Sequence, residues 1–259
     1  MSTPFSLYIE RDGSFHRLHP LTKLALTGFC LVVGLALPGR WAAYAFYLLV
    51  MLPLAAVAGI GRRYLRATLA AVLPFAVSLF LVQGLFWPGG TPVLELGPLS
   101  FKAEGVAFAL RSTGRILVIV GAFLLLSFTT RPDRLMQALA ERGAPRRLTY
   151  IMLTAIQIVP HFQSKASAIL DAQRSRGLET EGGLRQRARA LLPLVRPLVL
   201  GSIIDIEERA MALEVRAFGR QGPMTYLSSL RDSQGQRSAR WLLVLAAAGL
   251  LVARLLGWP

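Results

Sequence analysis

Residues 67–87 read ATLAAVLPFAVSLFLVQGLFW, a run without a single charged side chain. It is close to the roughly 20 apolar residues that cross a bilayer as a helix. Four further runs are predominantly apolar over 17 to 23 residues: 21–37, 41–60, 106–128 and 241–258. The first is short and needs local thinning or flanking anchors to span. Together the five runs predict an all-α integral membrane protein with about five transmembrane helices.

The rest of the composition agrees. The 259 residues are 54% hydrophobic and carry a formal net charge of +15, with a mean hydropathy of +0.50. Hydrophobicity and basicity together suggest a nucleic-acid binder or a membrane protein with a basic cytoplasmic face. The apolar runs decide for the membrane. No cleavable signal peptide is expected, because the first apolar run begins only at Leu21 and lacks a small-x-small site behind it. The single cysteine, Cys30, lies inside that run, cannot form an internal disulfide and is expected to be inert.

Basic residues mark the cytoplasmic side of a membrane protein. Arg11, Arg17 and Lys23 precede or open the first span, and Arg62, Arg63 and Arg66 follow the second. Segment 131–240 carries most of the remainder, whereas loop 88–105 sets Lys102 against Glu95 and Glu104. The expected order is a cytoplasmic N-terminal segment 1–20, four spans within 21–128, a cytoplasmic domain 129–240 and a fifth span 241–258. Arg111 and Arg115 fall on the outer half of the fourth span. They either snorkel to outer headgroups or make a polar contact with a neighbouring helix.

Within 129–240, Thr130 or Asp133 is placed to cap a short amphipathic helix, 134–141, which Gly143 and Pro145 end. A second helix is predicted over about 146–176, with an apolar stripe of Ile151, Ala155, Val159, Phe162, Ala166, Ile169 and Leu170. Pro160 is expected to kink it. After a turn at 177–183, a third helix is predicted over about 184–216, bent at Pro193 and Pro197. Its middle, 194–204, is apolar nearly all round and therefore needs a cover of protein or lipid. Gly201 and Ser202 permit close approach of another helix, and Asp205 and Arg209 are spaced to pair. Arg176 and Arg216 stand at the ends of these two helices, and each is followed within three residues by a glycine that can stop a helix.

The chemistry of catalysis is missing. No Gly-x-x-x-x-Gly-Lys-Ser/Thr occurs, and none of the three lysines, Lys23, Lys102 and Lys165, follows a glycine. His16 and His19 lack a third metal ligand nearby, and His161 is read as structural. Adjacent Glu207 and Glu208 point to different helix faces. No catalytic residue, metal site or cofactor is expected.

The chain resembles the transmembrane T component of energy-coupling-factor (ECF) transporters, related to cobalt-transport membrane subunits. Leu18-His19-Pro20-Leu21-Thr22-Lys23-Leu24 is similar to the family's Leu-Asp-Pro-Arg-Thr-Lys-Leu, with His19 for Asp and Leu21 for Arg. Ile156-Gln157-Ile158-Val159-Pro160 is similar to its Arg-Phe-Ile-Pro segment, with Gln157 or Ile158 in place of arginine. Ser175-Arg176-Gly177 and Val215-Arg216-Ala217 match its two x-Arg-x motifs, the second departing from the commoner Ala-Arg-Gly. The resemblance implies that 129–240 is a coupling domain of long kinked helices and that the chain is a non-catalytic subunit of an importer. It implies two ABC-type ATPases docked at Arg176, Arg216, Ser175, Gly177, Val215 and Ala217. It also implies a substrate-binding membrane S component for a vitamin or transition metal, with contact expected at Leu194, Leu198, Gly201 and Ser202. The implied location is a bacterial inner membrane. The alternative is a membrane-anchored binder of nucleic acid or anionic lipid through the basic stretch 185–196. Positive-inside bias accounts for most of that charge, and no aromatics interleave it, so no nucleic-acid partner is expected.

Overall fold

A computed structural model describes residues 15, 18–36, 39–89, 91–96, 99–178, 183–218 and 232–256; side chains of 93–100 and 184–192 are not described. The expectations for His16, the tip of the 177–183 turn, the basic side chains of 185–189 and Gly219 lie outside these residues. The described residues are helical almost throughout. They form two compact units: 15–149 with 232–256, and 150–218.

In the first unit, α1 (Pro20–Ala36) is followed by a continuous helix, Ala42–Val57. That helix is made of α2 (Ala42–Phe46), a π-helical turn (Tyr47–Met51) and α3 (Leu52–Val57). Pro53 has no N–H to donate back into the preceding turn, and the wider π turn absorbs the register slip. Then come α4 (Gly61–Phe86), α5 (Ala103–Thr129), α6 (Pro132–Glu141) and, after the second unit, α9 (Gln234–Leu255). By length and composition α4, α5 and α9 are long and apolar enough to cross a membrane, while Pro20–Ala36 and Ala42–Val57 are shorter apolar helices. All five coincide with the apolar runs. The α4 helix begins earlier than its run, so Arg62, Arg63 and Arg66 sit in its first turns rather than in a loop.

The central helix is α5, which packs against α1, α2 and α4. Its buried face is set by small residues at steps of four and seven, Gly105, Ala109 and Thr113 and then Gly114 and Gly121, with Ala122 beside the last. Small side chains at helical spacing let neighbouring backbones approach closely. The core around them includes Tyr64, Met51, Val118 and Cys30, with Tyr47 stacked on Tyr64 at 5.8 Å between ring centroids. The outward faces of α4 (Leu69, Leu73, Val77, Leu81) and α9 (Trp241, Leu245, Val252) are exposed, as lipid-facing surfaces must be.

The motif 18–24 acquires a physical role. Lys23 is buried, and its ammonium donates to the Thr129 carbonyl at the end of α5 at 2.7 Å. The Phe15 ring lies 5.7 Å away. A cation on the last carbonyls of a helix meets unpaired acceptors and the negative end of its dipole. Such a charged hydrogen bond is worth about 1.5–3 kcal/mol.

Two local features were not anticipated. Loop 88–105 contains a short antiparallel hairpin, β1 (Pro92–Leu96) and β2 (Leu99–Lys102). At α6 neither Thr130 nor Asp133 caps the helix: Arg131 is the N-cap residue without a side-chain cap bond, Pro132 opens the first turn, and Asp133 pairs with Arg131 at 3.0 Å. Proline at the first helical position needs no donor, so a cap is less necessary there.

The second unit contains α7 (Arg146–Ser175) and α8 (Leu184–Val215), each within a residue of the sequence expectation. The α7 helix continues through Pro160, and α8 continues through Pro193 and Pro197.

Candidate docking site

Arg176 and Arg216 occupy the same local structure. Beyond α7, the Gly177 N–H donates to the Arg174 carbonyl at 2.9 Å and the Leu178 N–H to the Gln173 carbonyl at 3.0 Å. Beyond α8, the Ala217 N–H donates to the Glu214 carbonyl at 2.9 Å and the Phe218 N–H to the Leu213 carbonyl at 3.0 Å. These paired bonds, six-to-one and five-to-two, define the Schellman termination. In both, the arginine is the C-cap residue and the next residue turns left-handed: Gly177 at φ +88° and Ala217 at φ +51°. The backbone reverses directly behind the guanidinium, so each arginine ends a rigid helix. Ser175, Arg176, Gly177, Val215, Arg216 and Ala217 are all exposed. Ser175 ties its hydroxyl to the Asp171 carbonyl at 3.1 Å. Arg174, two positions away, lies 3.7 Å from Asp171.

The left-handed Ala217 explains why glycine is the commoner residue there. An L-residue in this region is strained by about 1–2 kcal/mol, because Cβ crowds the backbone carbonyl. Glycine removes that strain, and its greater freedom when unfolded offsets part of the gain. Ala217→Gly is therefore expected to stabilise the chain by about 1 kcal/mol. A thermal unfolding midpoint in detergent that stays level or falls would contradict this.

The α7 and α8 helices run antiparallel. Lys165 on α7 reaches Gly201 and Asp205 on α8, His161 reaches Asp205, and the Tyr150 ring meets Phe218 at 4.8 Å. Asp205 thus pairs across the helices rather than with Arg209 as its spacing suggests. Leu194, Leu198, Gly201 and Asp205 share one helical face by their spacing. That face is turned toward α7: Leu194 and Leu198 are partly covered, and a Cβ on Gly201 would lie 2.8 Å from Lys165 Cε and Nζ. The Ser202 hydroxyl donates to the Leu198 carbonyl. The close approach that Gly201 permits is therefore used within the chain. The exposed apolar row of α8 is Val195, Val199, Ile203 and Ile206.

A charged cluster in the first unit escaped sequence reading. Asp232 Oδ2 accepts from Arg142 at 2.7 Å, Arg237 at 3.1 Å and Arg240 at 2.6 Å. Burial pushes its carboxyl up, but hydrogen bonds from Arg240, Arg237 and Arg142, with the charge of Arg240, outweigh burial and hold it at about 2. Beside it, buried His19 donates its backbone N–H to Gln236 at 2.8 Å. Its Nδ1 accepts from the Leu21 N–H at 3.3 Å and faces Arg240 Nη1 at 3.3 Å. Nδ1 thus acts as an acceptor at the start of α1, the same service an aspartate there performs.

Burial lowers the His19 pKa below its ordinary 6.5; Asp232 opposes the shift, and Arg240 and Arg142 add to it. The unfolded chain then binds the proton more readily than the folded one. The stability of the neutral form is present above pH 6.5 and declines as pH falls through the lowered value. Asp232 titrates well below this window and does not mask the effect. Unfolding midpoints measured from pH 7.5 to 5 are expected to fall for the wild type, while His19→Asp flattens the profile. Identical slopes would remove His19 as the cause.

The two arginines of α5 differ. Arg111 is exposed, whereas Arg115 is half-buried with its Nε covered and without a hydrogen-bond partner among the described residues. Among the described residues no group of three or more His, Cys, Asp or Glu is placed to hold a metal ion.

Helix lengths, apolar faces and the central α5 define an all-α membrane protein. Comparison with known proteins narrows the class. The sequence matches the CbiQ cobalt transport protein family over residues 12–227. It is 27% identical over 256 residues to the energy-coupling factor transporter transmembrane protein EcfT of Thermosediminibacter oceani, covering 95% of this chain and 96% of that protein. It is 29% identical over 221 residues to EcfT of Listeria innocua, covering 82% and 83%, and 26% identical over 264 residues to EcfT of Limosilactobacillus fermentum, covering 97% of each. The chain belongs to this family, the transmembrane T components of ECF transporters.

Proposed function

We propose that the chain is the scaffold and energy-coupling subunit of an ECF-type importer in a bacterial inner membrane. Two cytoplasmic ABC-type ATPases hydrolyse ATP, and a separate membrane S component captures a vitamin or transition-metal ion. This chain links them without catalysing a reaction itself. Five spans hold it in the bilayer, with the N-terminal segment 1–20 and the domain 129–240 on the cytoplasmic side.

The observation that carries this reading is the matched ending of α7 and α8. Two exposed arginines cap two helices with the same hydrogen-bond pattern. Arg176 stands eleven positions after Lys165, and Arg216 eleven after Asp205. Because the helices are antiparallel, the arginines point to opposite ends of the pair, on the order of 30 Å apart at 1.5 Å per residue. That separation suits two partners, one arginine each. A guanidinium fork is matched to carboxylates and backbone carbonyls. The S component covers the apolar surface of α8, where Val195, Val199 and Ile203 form the open row and Leu194 and Leu198 flank it. Gly201 and Ser202 belong to the same S-component contact on α8, where their small side chains let a partner helix come close.

Gentle detergent extraction followed by mass spectrometry tests the reading. Two polypeptides with P-loops and one small membrane protein are expected to co-purify, and the isolated chain is expected to hydrolyse no ATP. Recovery of the chain alone from cells that express the transporter would refute it.

A further inference from the structure

We infer that Arg111 and Arg115 of α5 form a binding site for the phosphate of an anionic lipid. The lipid belongs to the leaflet on the hairpin side of the membrane, the outer side in the orientation proposed above. The site goes beyond the transporter role and depends on neither docking surface. The two arginines stand one turn apart on α5 and share a stripe with Glu104 and Phe108 by helical spacing. Glu104, Phe108 and Arg111 are exposed, and Arg115 is half-buried. The small-residue face, with Ala109 and Thr113, is buried where α5 packs against α1, α2 and α4. The arginine stripe is therefore turned out of the helix bundle.

The apolar helices hold no free carboxylate to meet these charges. Across α1, the helix Ala42–Val57, α4, α5 and α9, the single acidic residue is Glu104. Its carboxylate is engaged at the hairpin, where it accepts from the Thr91 N–H at 3.0 Å and the Thr91 hydroxyl at 3.3 Å. Among the described residues neither arginine has an ion pair, and the covered Nε of Arg115 has no hydrogen-bond partner. Two like charges one turn apart repel each other. A permanent charge at membrane depth is rare without a counter-charge. The anion that relieves both costs comes from outside the chain.

Depth decides what that anion is. The Trp87 ring, just beyond α4, packs on Phe108 at 5.2 Å between ring centroids, and tryptophan gathers at membrane–water boundaries. At 1.5 Å per residue, Arg111 lies about 4.5 Å deeper than Phe108 and Arg115 about 10 Å deeper. Helical side chains lean toward the helix N-terminus, which in α5 is the hairpin end. Both guanidiniums therefore snorkel back toward the headgroups. A lipid phosphate is present at that boundary in any phospholipid bilayer, whereas a carboxylate on a partner's span would itself have to be buried. The guanidinium fork matches phosphate oxygens in pairs. A zwitterionic headgroup brings its own cation, which competes with the arginines. An anionic headgroup brings none, so the pair favours it.

Trp87 is the reporter, because its contact with Phe108 places it beside the site. In a full-length chain carrying Trp41→Phe, Trp241→Phe and Trp258→Phe it is the only tryptophan left of four. This chain is reconstituted into vesicles of phosphatidylcholine and phosphatidylglycerol, one of the two brominated in its acyl chains, and quenching of Trp87 gives the relative affinity of the two lipids at that spot. Phosphatidylglycerol is expected to be favoured at least threefold. Arg111→Gln with Arg115→Gln is expected to bring the ratio to about one, while the double lysine variant keeps a substantial part of the preference. Arg111→Gln alone, at an exposed position, gives the same reading at smaller amplitude if the double variant fails to fold. Arg62→Gln, at the far end of α4, is expected to change nothing. Equal affinities in the parent chain, or an undiminished preference in the double glutamine variant, would overturn the site. An equal loss with Arg62→Gln would reduce it to a general charge effect. Loss of the preference on adding inorganic phosphate, but not chloride of the same ionic strength, would give the site to a free anion rather than a lipid. Equal lipid affinities together with release of the S component by the double glutamine variant would give the pair to a protein partner.

Discussion

Arg176→Glu combined with Arg216→Glu is expected to abolish recovery of ATPase subunits and substrate uptake while leaving membrane insertion intact. Both residues are C-caps of exposed Schellman turns, and neither lies in an apolar span. The substitution therefore leaves the fold of the first unit untouched. What is lost lies in the partner: a charge-assisted contact removed from a buried groove leaves its acceptors unpaired, at a cost of about 2–5 kcal/mol per site. Each site alone then weakens binding by tens- to thousands-fold. Glutamate adds repulsion where the groove is acidic, and loss at both ends leaves no second anchor to hold the complex. Arg174→Glu is the control. Arg174 is exposed on the same helix, but it sits inside the last turn beside Asp171, on a different face from Arg176. Near-normal ATPase recovery with the double variant, or a larger defect from Arg174→Glu than from Arg176→Glu, would remove the arginines from the docking role.

How far such a site is legible depends on the range of the interactions that build it. The ends of α7 and α8 were readable because helix termination is local: periodicity, an arginine and a stop signal lie within a few residues. The five apolar runs were readable for the same reason, since hydrophobicity is a property of each segment. Long-range pairings were not readable. Lys23 meets the Thr129 carbonyl, and Asp232 gathers Arg142, Arg237 and Arg240; no spacing rule connects residues so far apart. The spacing of Asp205 points to Arg209 because intrahelical spacing is the visible cue, while its charged partner in space, Lys165, lies on another helix. The sequence offers Gly201 as a place of close approach for another subunit, and gives no sign that a lysine of the same chain also comes close to it. Ala217 shows the limit from the other side. Its left-handed backbone is a local feature, but alanine carries no signal for it; only the parallel with Gly177 reveals that both turns are the same.

The apolar row of α8 yields the second large effect: Val199→Asp with Ile203→Asp is expected to release the S component while the ATPases stay bound. Val199 and Ile203 are one turn apart, exposed at 50% and 49%, and flanked along the same stripe by Val195 and Ile206. Neither faces the Lys165 contact, which engages Gly201 and Asp205 on another side of the helix. The pair can therefore be changed without disturbing the register of α7 and α8. Covering an aliphatic side chain of this size stabilises an interface by about 1.5–3 kcal/mol. An aspartate in its place forfeits that gain and buries a carboxylate without a partner, which costs several kcal/mol more unless it takes up a proton. Two such positions together exceed about 4 kcal/mol, or roughly a thousandfold in affinity. The ATPases engage the distant helix ends and should be indifferent to the change. Glu208→Gln, on the opposite side of α8 by helical spacing, controls for a general loss of helix stability. Retention of the S component by the double aspartate variant, with uptake intact, would show that the row faces lipid or solvent rather than a partner. Release of the S component by Glu208→Gln to the same degree would show that the helix, not this face, is what the partner requires.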